Sequence, residues 1–208
     1  HDFSFKSLAF EEMHTLEGLS KWIVYFTMLA IQDKHSNAAF ALKKIDSLAS
    51  NAVQDMSPLL RPLRDGFTSM TFGTYQEWKT VIVLLLPLVS MTCDGYWLEE
   101  TLASYQLMRQ LIRRKFHTPR SIGRLRGLIR QTKELMTAHF VQYSPSSLNF
   151  PKFHDLEHLC DSIEDYGMVY NASAQAEECS HIENSKSTYR QTNRKNDVSK
   201  QMTEVTIL

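Results

Sequence analysis

The sequence predicts an all-α, multi-helix fold on three observations. Apolar residues recur at three- and four-residue steps over most of the chain. Helix formers such as Leu, Ala, Met, Gln and Lys are plentiful, whereas glycine (7) and proline (6) are few for 208 residues. No stretch alternates apolar and polar residues for more than a few positions, and no repeat recurs at a solenoid period.

Each element follows from its own pattern. Over residues 8–31, Leu8, Met13, Leu16, Leu19, Ile23, Phe26 and Ile31 mark one helical face. After the polar break at 33–37, a second helix runs through Phe40, Leu42, Ile45, Leu48 and Val53 and ends before Ser57-Pro58. Residues 58–73 hold two prolines, two glycines and mixed charge, and read as an irregular loop. Residues 74–90 form a near-continuous apolar helix, bent at Pro87. Asp94-Gly95 interrupts, and a helix over 97–116 follows through Leu98, Leu102, Tyr105, Met108, Leu111 and Ile112. His117-Thr118-Pro119 is a stop and restart, with the next helix reaching about Tyr143. Beyond a Ser/Pro loop at 144–149, Pro151 opens a helix that ends at Gly167. A last helix is expected over 174–190. The domain reading is one helical unit, residues 1–190, followed by a polar tail, 191–208.

At 43% hydrophobic the chain can bury a real core, which excludes a disordered tail. Lys+Arg and Asp+Glu both number 23, so neither a chain-wide basic nucleic-acid binder nor an acidic solvating segment fits. Cys93, Cys160 and Cys179 are odd in number and widely spaced, which favours a reduced, intracellular setting over a disulfide framework or zinc ribbon. The longest apolar run, 81–89, contains Pro87 and falls well short of the roughly 20 residues of a membrane span. The chain opens at His1 with no secretory pattern, and the expectation is a fragment whose beginning is missing.

Four constellations could carry chemistry. Between Arg109 and Lys133 nine cations (Arg109, Arg113, Arg114, Lys115, Arg120, Arg124, Arg126, Arg130 and Lys133) occur without one acidic residue. Beside an apolar seam of Leu125, Leu128, Ile129 and Met136 they can meet DNA phosphates; the alternative is a solvated face. His154-Asp-Leu-Glu157-His158 matches H-x-x-E-H, in which two histidines one turn apart bind zinc and the glutamate activates water. Glu177, Glu178, His181 and Glu183 gather oxygen and imidazole ligands on an expected helix, where a helix-start role is the alternative. Glu11-Glu12-Met13-His14 repeats those residue types, with helix capping as its alternative. No Gly-rich phosphate loop, G-x-S-x-G or Cys-His nucleophile pair is present.

Several segments together resemble a known family. Phe150-Pro-Lys-Phe-His-Asp-Leu-Glu-His158, Tyr166-Gly167, Glu178-Cys-Ser-His181-Ile182, Thr188-Tyr-Arg-Gln-Thr-Asn-Arg-Lys195 and Gln201-Met202 are similar to the C-terminal part of fungal Plavaka-type transposases, of the Kyakuja-Dileera-Zisupton group. Met13-His14, Gly18-Leu19 and Lys21 look like that family's D-x-x-H … G … K helix, and residues 63–66 and 78–87 like its middle section, so the likeness covers nearly the whole chain.

The resemblance implies a DDE transposase, in which two Asp and one Glu on an RNase H-like fold hold two divalent cations, Mg²⁺ or Mn²⁺, for strand transfer on DNA. It implies that this chain is the helical insertion plus the final catalytic helix. Glu178 takes the place of the catalytic Glu, with His181 beside it as a metal-site residue. Where the second Asp should stand, just before His14, this chain has Glu11 and Glu12, so the expectation is a degenerate copy, inactive as a fragment. Arg113, Arg114, Arg120, Arg124 and Arg130, joined by Arg190, Arg194 and Lys195 near Glu178, become the expected DNA-binding residues. Further expectations are a nuclear location, weak DNA affinity, possible self-association through apolar surface around Trp22, Tyr25 and Phe26, no membrane partner and no small-molecule cofactor. Two other readings stand beside it: a helical protein-interaction module without a DNA role, and a zinc hydrolase built on His154, Glu157 and His158.

Overall fold

The computed structural model describes residues 13–55, 63, 66–68, 75–93, 96–167 and 189. The chain divides into two units, His1–Ala172 and Ser173–Leu208, and of the second only Tyr189 is described. The helix expected over 174–190 and the tail therefore lie outside the described residues, Tyr189 apart. The first unit is all-α, with no strand among the described residues.

A π-helical turn, Met13–Glu17, leads into α1, Gly18–Lys34. In that turn the Leu16 carbonyl accepts from two side chains, Ser20 Oγ at 2.9 Å and Tyr105 OH at 3.0 Å. α2 spans Ala38–Asp55, α3 Tyr75–Thr92 and α4 Tyr96–Ile112. Pro87 sits inside α3, as the sequence predicts. One residue before the Val83 carbonyl that Pro87 cannot serve, Gln106 Nε2 of α4 donates to the Ile82 carbonyl at 2.7 Å.

The helix expected over 97–116 stops at Ile112. The Arg114 amide closes a three-residue turn on the Leu111 carbonyl, and the position before Pro119 disfavours helical backbone. α5, Pro119–Phe140, then starts on a complete capping box, with Thr118 Oγ1 accepting from the Ser121 amide and Ser121 Oγ accepting from the Thr118 amide. α4 and α5 pair antiparallel. Ser104 and Thr132 share a buried hydrogen bond of 2.8 Å, and Trp97 meets His139 at 4.9 Å, the two pairs lying seven residues apart on each helix in opposite order.

The helix expected from Pro151 to Gly167 is broken into α6, Pro151–Asp155, and α7, Leu159–Tyr166. Between them Glu157 N reaches His154 O (2.9 Å) and His158 N reaches Asp155 O (3.1 Å), the tighter three-residue hydrogen bonding. Phe153, Leu156 and Leu159 lie three apart, so that tighter turn keeps all of them buried.

α1 is the central helix and packs against α2, α3, α5 and α6. Leu16, Leu19, Ile23 and Phe26 are fully buried along it, each contributing about 1.5–3 kcal/mol of transfer free energy. The expected open apolar surface around Trp22 and Phe26 is covered by the chain itself. Trp22 stacks on Phe26 and meets Phe150 at 5.7 Å, and Phe26 meets Phe140 at 5.9 Å, which leaves Tyr25 as the exposed member. Part of the loop predicted over 58–73 is ordered by α2: Asp46 accepts from the amides of Phe67 and Thr68 at 2.8 Å each and from the Thr68 hydroxyl at 2.5 Å. Gly66 takes a φ of +79° there, a conformation that favours glycine.

Candidate functional site

The basic stretch separates into three groups once its partners are in place. Arg109 is buried and donates to Glu17 at 2.5 Å, and Arg113 donates to the same carboxylate oxygen at 2.6 Å. Arg126 bridges Asp161 (2.8 Å) and Glu164 (2.7 Å) on α7, while Lys133 pairs with Glu157 and lies over the Phe153 ring. These four hold the unit together. Arg114, Lys115, Arg120, Arg124 and Arg130 are exposed and form no ion pair among the described residues.

The last three lie on α5. At roughly 100° per residue, Arg120, Arg124, Gly127 and Gln131 share an arc of about 60°, with Gly123, Arg130 and Glu134 beside it. Of the predicted seam, Leu125, Ile129 and Met136 are buried on the opposite side and Leu128 is half-buried. Among the described residues, a Cβ added at Gly123 or Gly127 would meet nothing within 4 Å, so neither glycine is required by the packing described. Each weakens the helix by about 1 kcal/mol relative to alanine. Together they leave α5 backbone uncovered between three cations, near a helix N-terminus whose dipole favours anions.

The H-x-x-E-H residues are not on one continuous helix. His154 lies in α6, one residue before its end at Asp155, and His158 precedes α7, with the two Nε2 atoms 3.2 Å apart. Glu157 is engaged by Lys133, whose hydrogen bond holds the Glu157 carboxyl below its ordinary range. A carboxylate held that way is a poor proton acceptor for a metal-bound water. No group of three His, Cys, Asp or Glu able to hold a metal occurs among the described residues.

Glu11, Glu178, His181, Arg190, Arg194 and Lys195, all expected from the resemblance, lie outside the described residues. Arg113, expected on the DNA face, gives its guanidinium to Glu17 instead of standing apart from acids. The sequence reading missed the network of Glu17, Ser20, Tyr105 and Arg109. Its signal was present: Arg109 lies four residues after Tyr105 and three before Ile112, on an apolar stripe where a charge demands a buried partner.

No helix of the described residues is long and apolar enough to cross a membrane. Set against known protein families, curated proteins and solved structures, the chain matches none.

Proposed function

We propose that the first unit is a DNA-facing helical module in which the N-terminal half of α5 lies along phosphates, the surviving role of a transposase-like ancestor. One observation carries this reading: Arg120, Arg124 and Arg130 have no acidic partner among the described residues, while neighbouring Arg126 and Lys133 do. Phosphate binding needs cations that do not first break internal pairs. Arg114 and Lys115, in the loop before α5, extend the same charge. Nuclear residence follows from this reading. Strand transfer with Mg²⁺ or Mn²⁺ would rest on Glu11, Glu178 and His181, and no metal step is derived for the described residues.

The experiment is fluorescence anisotropy with duplex DNA at two salt concentrations. Removing one cation that neutralises a phosphate should reduce the salt slope by about 0.9. The Arg120→Ala/Arg124→Ala/Arg130→Ala variant is expected to lower it by roughly 2–3, and Arg126→Ala to leave it nearly unchanged. An unchanged slope in the triple variant would remove the α5 face from the reading.

A second reading, a protein-interaction module, draws on exposed apolar side chains. Tyr96 (80% exposed) and Leu107 (47%) flank a groove of about 680 Å³ beside Leu86, Pro87 and Leu128. It predicts no DNA binding at low salt, with self-association or a partner chain covering that groove.

A further inference from the structure

We infer that His154 and His158 form a two-histidine chelate for a divalent transition metal of the zinc class, completed by water and not hydrolytic, independent of any DNA role. Their Nε2 atoms are 3.2 Å apart. Two nitrogens held at about 2.0–2.1 Å by a tetrahedral metal sit roughly 3.3 Å apart, so one ion can reach both without moving either ring far.

Ring orientation is compatible with chelation as well as with a bent hydrogen bond. Rings aimed nose to nose for a linear N–H···N bond would hold their centroids roughly 5.5 Å apart. The observed separation is 4.9 Å, at an interplanar angle of 81°. The nitrogen axes therefore bend off the line joining them, which a chelating pair also requires, and the titration below decides between the two.

A neighbouring carboxylate sets the tautomer. Glu157 Oε2 lies 3.4 Å from His154 Nδ1, and Glu157 is itself pinned by Lys133 of α5. A carboxylate on that side favours Nδ1–H and leaves the Nε2 lone pair for a metal, the outer-shell arrangement common at histidine–metal sites. His154 is 65% exposed on its side chain, so water can complete the coordination shell. Glu157 is occupied in orienting the ligand and in its ion pair, which is why hydrolysis is not part of the assignment. The ion would tie the end of α6 to the start of α7 across the turn at 156–158.

Calorimetric titration of the full chain with zinc chloride tests this, comparing the parent with His154→Gln, His158→Gln and His35→Gln, the last a histidine elsewhere on the unit. The expected result is a saturable one-to-one site lost in the first two variants and kept in the third. Glu157→Gln should weaken it by about 10-fold or more. Long-range ¹⁵N NMR of the unmodified chain gives a readout that needs no variant: zinc should shift Nε2 of both residues. No saturable binding, or zinc affinity unchanged in His158→Gln, overturns the assignment and leaves the contact as an imidazole hydrogen bond.

Discussion

Arg109 Nη2 lies 2.5 Å from Glu17 Oε1, both side chains at least 95% buried, and joins the last turn of α4 to the π-helical turn that opens α1. Tyr105, one turn before Arg109, donates to the Leu16 carbonyl, so the two contacts fix the same pair of elements. Arg113 shares Glu17 Oε1, while Glu17 Oε2 and Arg109 Nε have no hydrogen-bond partner among the described residues. Such an incompletely satisfied ion pair is expensive to break and no great asset to keep. Arg109→Ala should therefore lower stability by about 3–5 kcal/mol by stranding the carboxylate. Glu17→Leu/Arg109→Met should recover most of that loss in urea denaturation. A double variant as unstable as Arg109→Ala would show that the pair contributes more than its own desolvation.

Asp46 acts on a different segment. Its two oxygens take both amides and the hydroxyl of Phe67-Thr68, holding Phe67 in the core at 1% exposed. Asp46→Ala is expected to destabilise by about 2–4 kcal/mol, since hydrogen bonds to a charged acceptor carry about 1.5–3 kcal/mol each and are not additive. Amide exchange at Phe67 and Thr68 should accelerate strongly in that variant. Asp46→Asn keeps one acceptor oxygen and should retain most of the protection.

α1 to α5 were legible because their apolar steps are long and repeated, and because Thr118-Pro119 is a strong local start signal. The break between α6 and α7 was not, since Phe153, Leu156 and Leu159 at three-residue steps suit an α-helix and a tighter turn alike. Nor could the sequence sort the cations. Arg126 and Arg130 are one turn apart with the same chemistry, and only the packing of α7 supplies Asp161 and Glu164 to one of them. Glu17 and Arg109 stand 92 residues apart, beyond any local pattern.

Alkaline pH should unfold the unit through the buried Tyr105 and Cys160 and the half-buried Tyr143. Burial is the main cause raising the Tyr105 phenol from its ordinary 10.0 to about 12, against the lowering influence of Arg109. Burial also raises the Cys160 thiol to about 11, and burial with the Asp33 carboxylate raises Tyr143 to about 12. A group whose folded pKa is raised stabilises below its unfolded pKa, and that contribution is lost as pH rises toward the folded value. Stability should thus hold to about pH 8.5 and fall between about 9 and 12, with Tyr105 contributing on the order of 2–3 kcal/mol. Tyr105→Phe should flatten the upper part of this decline, seen in urea midpoints against pH. A decline of equal depth in that variant would assign it to the other two groups.

Gly123 and Gly127 distinguish a solvated basic helix from one shaped for close approach. Nothing among the described residues meets a Cβ at either position, and neither has the positive φ that would strain an alanine. Gly123→Ala/Gly127→Ala should therefore stabilise the unit by about 1–2 kcal/mol through helix propensity alone. If phosphates contact α5 backbone between Arg120, Arg124 and Arg130, two methyl groups on that face must hold the duplex away and weaken binding, with the salt slope preserved because no charge is removed. A higher melting temperature together with several-fold weaker DNA affinity is the expected pair of results. Stabilisation with undiminished affinity would mean that only the long arginine side chains reach the phosphates, and the glycines would then need an explanation apart from DNA.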